Sequence, residues 1–243
     1  MKKVLSLLLT LAIIISLVPA HKVEAKSKMI TMYVISEGSA RYEYNKNGLV
    51  AKEISGNSIS ATYKYKGSRL IEMEEYGHKT KISYNKKKRL VKIVYWWGEK
   101  DSFSQKYYYN KKGKITKCVH DDGSYTKYTY GKRKEEQTTY SKAGKATGGC
   151  KFYYDSHGYY KTVVNNPGGN VNIVNCGRFT FKNKYNKKGC VIQRTEKTEM
   201  PSTFITGYTY KKIRVPASYK KAIIKQQKSI INKISPFEWS NTF

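Results

Sequence analysis

The chain has 243 residues, with 47 Lys and Arg against 17 Asp and Glu, a formal net charge of +30. So basic a chain is drawn to polyanions, through an attraction that fades with salt. Only seven of the basic residues are Arg, so diffuse attraction fits better than bidentate, sequence-specific reading of nucleic acid.

In chain order, Lys2 and Lys3 open the sequence and Val4 to Val18 form an almost unbroken apolar run. Pro19 breaks it, and Val23-Glu24-Ala25 places small side chains where a signal peptidase reads them. The run is shorter than the ~20 residues a membrane span needs, and no later stretch is apolar enough. The expectation is a signal peptide over 1–25 and an exported chain, secreted or held non-covalently at the cell surface. A lead-in strand over 26–40, a repeat domain over 41–215 and a capping helix with tail over 216–243 follow.

Within 41–215 one phrase recurs. Tyr44, Tyr65, Tyr84, Tyr109, Tyr130, Tyr154, Tyr185 and Tyr210 each end an aromatic stretch, about 24 residues apart on average. Before these anchors aromatics alternate with polar residues, as in Tyr42-x-Tyr44 and Tyr107-x-Tyr109, which is the period of a strand with one aromatic face. After them comes Asn-x-x-Gly or a relative. Asn45 to Gly48, Asn110 to Gly113, Asp155 to Gly158 and Asn186 to Gly189 are the clean copies. Asn or Asp opens a type I turn by bonding the backbone two residues on, and Gly closes it at positive φ, the geometry of a hairpin with a G1 bulge. These residues are read as structural turns.

Between the repeats lie "SGNS" at 55–58, "YGHK" at 76–79, "HDDGS" at 120–124 and "NPGGN" at 166–170, read as a second kind of turn. Alternating turns predict an all-β antiparallel meander of hairpins, about fourteen to sixteen strands, in an open, curled or spiral sheet.

The phrase Tyr-[Asn/Asp]-x-x-Gly-[Arg/Lys]-[Leu/Ile/Val] resembles the YD repeats of RHS-type bacterial surface and toxin proteins, over about Arg41 to Val215. Most copies carry Asn instead of Asp, and Lys88-Arg89 replaces Gly after Tyr84. The resemblance implies a curling β-sheet that by itself carries no catalysis. "YYYNKKGKI" is also similar to the aromatic-hairpin repeats of choline- and glucan-binding wall proteins, without their Gly-Trp pair.

Cys118, Cys150, Cys176 and Cys190 have no Cys-x-x-Cys spacing, which argues against a zinc ribbon. Export permits disulfides, and the three possible pairings stay open beside free thiols.

Beyond Val215 the period changes. Pro216 stands where a helix would begin, and Tyr219, Ile223, Ile230 and Ile234 recur at helical spacing before Pro236. This predicts one C-terminal amphipathic helix that either covers the sheet or lies on a membrane, with Phe237, Trp239 and Phe243 as further packing.

No catalytic constellation, metal motif or cofactor cradle stands out. His120 beside Asp121, and Glu72 with Glu74 and Glu75, are the nearest approaches to acid–base chemistry. Aromatics are the stronger lead for a ligand: Trp96 and Trp97, on opposite faces of one strand, with Tyr107 and Tyr109. The sequence points to a non-catalytic, cationic module for an anionic polymer: wall teichoic acid, an acidic glycan or an anionic membrane surface. An enzyme with an unrecognised site and a protein-binding structural module are the alternatives.

Overall fold

The computed structural model describes residues 28–37, 40–98, 101–167, 177–198 and 202–233. The signal peptide and the residues after Lys233, among them Ile234, Phe237, Trp239 and Phe243, lie outside them. Sixteen strands are present: β1 (Met29–Glu37), β2 (Ala40–Tyr44), β3 (Val50–Ser55), β4 (Ser58–Lys66), β5 (Arg69–Glu75), β6 (His78–Tyr84), β7 (Leu90–Trp97) and β8 (Asp101–Tyr109) form the first half. The second half is β9 (Ile115–His120), β10 (Tyr125–Gly131), β11 (Lys134–Tyr140), β12 (Ala146–Tyr154), β13 (Tyr160–Pro167), β14 (Arg178–Tyr185), β15 (Val191–Lys197) and β16 (Thr203–Pro216).

From β2 to β16 every strand pairs antiparallel with the next, and β1 closes onto the far side of β16. The meander expected from the turns is therefore the observed one, and its sheet is curled into a nearly closed, barrel-like form. β16 makes this closure because it is long. Its Thr203–Gly207 half pairs with β15, and its Tyr208–Pro216 half pairs with β1. The edges β1 and β2 meet at a seam, where the Tyr44 hydroxyl donates to the Ile35 carbonyl.

The repeat phrase folds as its chemistry requires. In the first copy the Asn45 side-chain oxygen accepts from the amides of Asn47 and Leu49, and the Gly48 amide donates to the Asn45 carbonyl. Gly48 sits at φ +80, a conformation that costs a side chain about 1–2 kcal/mol. A register shift precedes the anchor in six copies, at Tyr44, Tyr65, Tyr84, Tyr109, Tyr154 and Tyr185, so the bulge belongs to the repeat.

Three details differ from the sequence reading. The stretch at 120–124 is no second kind of turn: His120 and Ser124 close the same bonding pattern as the Asn turns, as do Ser141 and Lys145. A Ser or His at the first position suffices when Gly stands fourth. Tyr210 precedes no turn, because Lys211 to Val215 offers no Asn or Gly, and β16 runs on beside β1. Pro216 is extended, at ψ 134, and precedes the helix instead of starting it. "SGNS" and "YGHK" do turn tightly, at Gly56-Asn57 and Tyr76-Gly77, while most of "NPGGN" lies outside the described residues.

Since consecutive strands from β2 to β16 are antiparallel neighbours, connections after even-numbered strands fall at one end of the sheet and those after odd-numbered strands at the other. All seven repeat turns, from 45–48 to 186–189, share the first end.

The inner face holds the core. Val50, Leu70, Met73, Leu90, Ile93 and Val191 are buried in one cluster, with anchor tyrosines packed around it. After β16 comes a 15-residue helical segment: a 3-10 turn (Ala217–Tyr219) and α1 (Lys220–Ile231). Helix α1 buries Ile223, Gln226, Ser229, Ile230 and Ile231, and its Ile230 and Ile231 join the sheet's main cluster. Two side chains replace ladder partners at the sheet's rim. The Gln226 oxygen accepts from the Val50 amide at 3.0 Å, and the Asn232 oxygen accepts from the Tyr160 amide at 3.0 Å. The helix thus lies across the end that carries the repeat turns.

Candidate functional site: a basic cleft beside the helix

The helix covers only part of that end. Beside it opens a cleft of about 700 Å³, within the ~300–1,000 Å³ usual for ligand sites. Its walls are repeat turns. Lys88 and Arg89 come from the turn after β6, Lys112 and Lys114 from that after β8, and Arg133 from that after β10, with Lys134 beside it at the start of β11. Helix α1 adds Lys225 and Lys228. A neighbouring hollow of about 490 Å³ shares Lys88 and Lys225 and adds Lys66, Arg69 and Lys221, so both flanks of the helix are basic.

Burial pushes the Lys225 and Lys228 ammonium groups below the usual lysine range, with Lys221 adding repulsion at Lys225 and Asp155 opposing the shift at Lys228. An anionic group entering the cleft relieves that penalty, because an opposite charge favours the charged form.

Tyrosines form the cleft's apolar surface: Tyr107, Tyr109, Tyr128, Tyr130 and Tyr154. Cations lie over two of the rings, Arg89 at 5.6 Å from the Tyr109 centroid and Lys114 at 4.6 Å from that of Tyr130. Gly113 makes room for this arrangement. A Cβ there would stand 2.9 Å from an Arg89 guanidinium nitrogen, so the turn glycine lets the arginine lie across it.

Two carboxylates line the cleft, and they differ. Asp155 is spent on structure: one oxygen accepts from the amides of His157 and Tyr159, the other from Asn183 and the Tyr185 hydroxyl. Burial would raise its pKa, but these bonds together hold it below the usual carboxylate range. Glu135 accepts from Gln137 at 2.9 Å and from the Tyr154 hydroxyl at 3.4 Å. Burial is the larger effect there and pushes its pKa up.

Of the aromatics singled out from sequence, Tyr107 and Tyr109 line this cleft. Tyr107 is buried with its hydroxyl on Gln105, and burial raises the pKa of Tyr109. Trp96 and Trp97 stand at the opposite end, on the last residues of β7. Trp97 is 62% exposed and packs on the His78 ring, and Lys81 lies over Trp96. The four residues therefore do not form one site. Sequence reasoning missed Glu135 and the α1 lysines. The parity of the hairpin turns could have grouped the turn lysines, but no local pattern signals the helix's position.

The acid–base candidates are engaged elsewhere. Glu72 is held between Lys64 at 2.7 Å and Lys79 at 3.4 Å. Asp121 accepts from the Ser104 amide, and His120 stacks on Phe103. Cys118, Cys150 and Cys190 are thiols, and Cys176 lies outside the described residues. Among the described residues no cluster of three His, Cys, Asp or Glu could hold a metal, and no helix is long and apolar enough to cross a membrane.

No protein-family model and no curated protein matches the chain. Among solved structures, it is similar to a porin-like protein from Bacteroides uniformis, at 11% identity and a TM-score of 0.47, over 77% of this chain and 96% of that one. It is also similar to the TcdB2-TccC3-Cdc42 structure, at 12% identity and a TM-score of 0.36, over 71% of this chain. The Tc holotoxin pore of Photorhabdus luminescens follows at 14% identity and a TM-score of 0.29. The match spans only 12% and 8% of those two chains, and similarity this low carries nothing about activity.

Proposed function

We propose that this protein is an exported, non-catalytic β-repeat module that binds an anionic cell-envelope or extracellular polymer at the end of its sheet carrying the repeat turns. The observation that supports this most is convergence. Basic residues from three successive repeat turns and from α1 surround one tyrosine-lined cleft. Lysines spread evenly for solubility alone would not need to meet there. Their field raises the local concentration of a polyanion, and the tyrosines supply short-range contact.

The test is retention on purified anionic wall polymer and acidic glycan at ~0.1 M and ~1 M salt, between which the screening length falls from about 10 Å to about 3 Å. Binding should fall by at least tenfold at high salt. The pair Lys112→Glu and Arg133→Glu should abolish most of it, while Lys142→Glu and Lys145→Glu, at the opposite end, should leave most of it. Equal loss from both pairs would contradict a localised site.

A further inference from the structure

Resting on that reading of the cleft, we infer that its ligand is an acidic polysaccharide that places a sugar hydroxyl on Glu135 and its charged groups on the surrounding lysines, in preference to a polyphosphate chain. A site built only for phosphate would have no use for a carboxylate among its tyrosines. Glu135 is nevertheless there, on β11 between the turn bearing Arg133 and the cross-strand residue Tyr130. Its backbone neighbour Glu136 behaves quite differently, pairing with Lys134 at 3.0 Å and Lys151 at 3.4 Å on the other face of the strand. No lysine or arginine within ion-pair distance of Glu135 is found among the described residues.

The hydrogen-bond inventory makes Glu135 the cleft's acceptor. An ionised carboxylate has about four lone-pair sites. All four of Asp155 are occupied by the partners named above, whereas Glu135 has one donor on each oxygen. It can therefore receive hydroxyl protons from a ligand. A phosphate in the same place would meet a like charge, which disfavours it. Around this acceptor Tyr128 and Tyr154 line the cleft as apolar surface for pyranose C–H groups, with Tyr130 beside them under the Lys114 ammonium. Farther out, Lys112, Arg133 and Lys88 are exposed and can meet ring-borne carboxylates. An acidic polymer with hydroxyl-rich, uncharged units between its charges satisfies both zones, and a chain with a charge on every unit does not.

Two probes of equal charge separate the cases: an oligosaccharide alternating N-acetylglucosamine with glucuronate, and inorganic polyphosphate, each titrated into the full chain at low salt. The protein should hold the oligosaccharide more tightly. Glu135→Gln should weaken it by about tenfold, the scale of one hydrogen bond to a charged acceptor, and should strengthen polyphosphate. Glu135→Asp, which withdraws the carboxylate but keeps its charge, should weaken the oligosaccharide without helping polyphosphate. Thermal melting of both variants checks that they fold. Tighter wild-type binding of polyphosphate, or equal changes for both probes in Glu135→Gln, would overturn the role of Glu135 and leave the basic cleft standing. Binding of neither probe would overturn both.

Discussion

Why the anchors are Tyr and not Phe is answered by their hydroxyls. Tyr84 donates to the Leu70 carbonyl at 2.7 Å and Tyr210 to the Val191 carbonyl at 2.8 Å, in each case the first or second residue of a return strand in the neighbouring hairpin. Tyr44, Tyr154 and Tyr185 likewise reach out of their own hairpins, to Ile35, Glu135 and Asp155. Each ring buries apolar area while its tip ties one unit to another. Tyr84→Phe should cost about 1 kcal/mol in chemical denaturation, and Phe at the half-exposed Tyr108 should cost almost nothing. Gly48 carries a second residue-scale lesson. A Cβ there would stand 2.9 Å from atoms of Ile213, Val215 and Ile223, whereas one at Gly189, also at positive φ, meets nothing within 4 Å. Gly189→Ala should cost ~1–2 kcal/mol of backbone strain. Gly48→Ala should cost ~1–3 kcal/mol more, from overpacking against β16 and α1. Asp155 gives a pH signature. Its folded pKa lies below its unfolded value, so its stabilisation is present above the ordinary carboxylate range and is lost as pH falls through the folded pKa. Asp155→Asn should flatten that acid limb of a melting-temperature profile.

At the scale of elements, the turns were legible and the helix only half so. Asn45, Asn110, Asp155 and Asn186 form the bonds their chemistry predicts because every partner lies within four residues. Helix α1 was readable from its period, but its seat was not. Gln226 bonds Val50 across 176 residues and Asn232 bonds Tyr160 across 72. Such contacts follow from how far the sheet curls, which no local pattern states. Gln226 itself reads from sequence as a solvent-facing residue, yet it is buried, serving both the Val50 amide and the Tyr65 hydroxyl. Gln226→Leu keeps the volume and strands that buried amide, so it should destabilise by about 1–3 kcal/mol. Hydrogen exchange should then quicken first at Val50 and along α1. A surface glutamine would show neither change.

For the molecule as a whole, the repeat does more than build strands. Placing Asn-Lys-Lys-Gly after alternate strands sends its lysines to one end, while Asp121 and Asp122 turn at the other. The strong positive charge was evident from composition. Its concentration around a cleft was not, because that depends on the parity of hairpins and on the helix leaving part of the end uncovered. Trp96 and Trp97 drew notice in the sequence for their chemistry, and the parity of β7 puts them at the end away from the basic cleft. The most direct test of binding at the basic end is an amide-exchange footprint of the full chain with and without an acidic oligosaccharide at low salt. Protection should fall on residues 85–89, 110–114 and 131–134 and on α1, and should spare 56–57, 76–77 and 121–124. Protection confined to the latter turns, or spread evenly over both ends, would contradict the account.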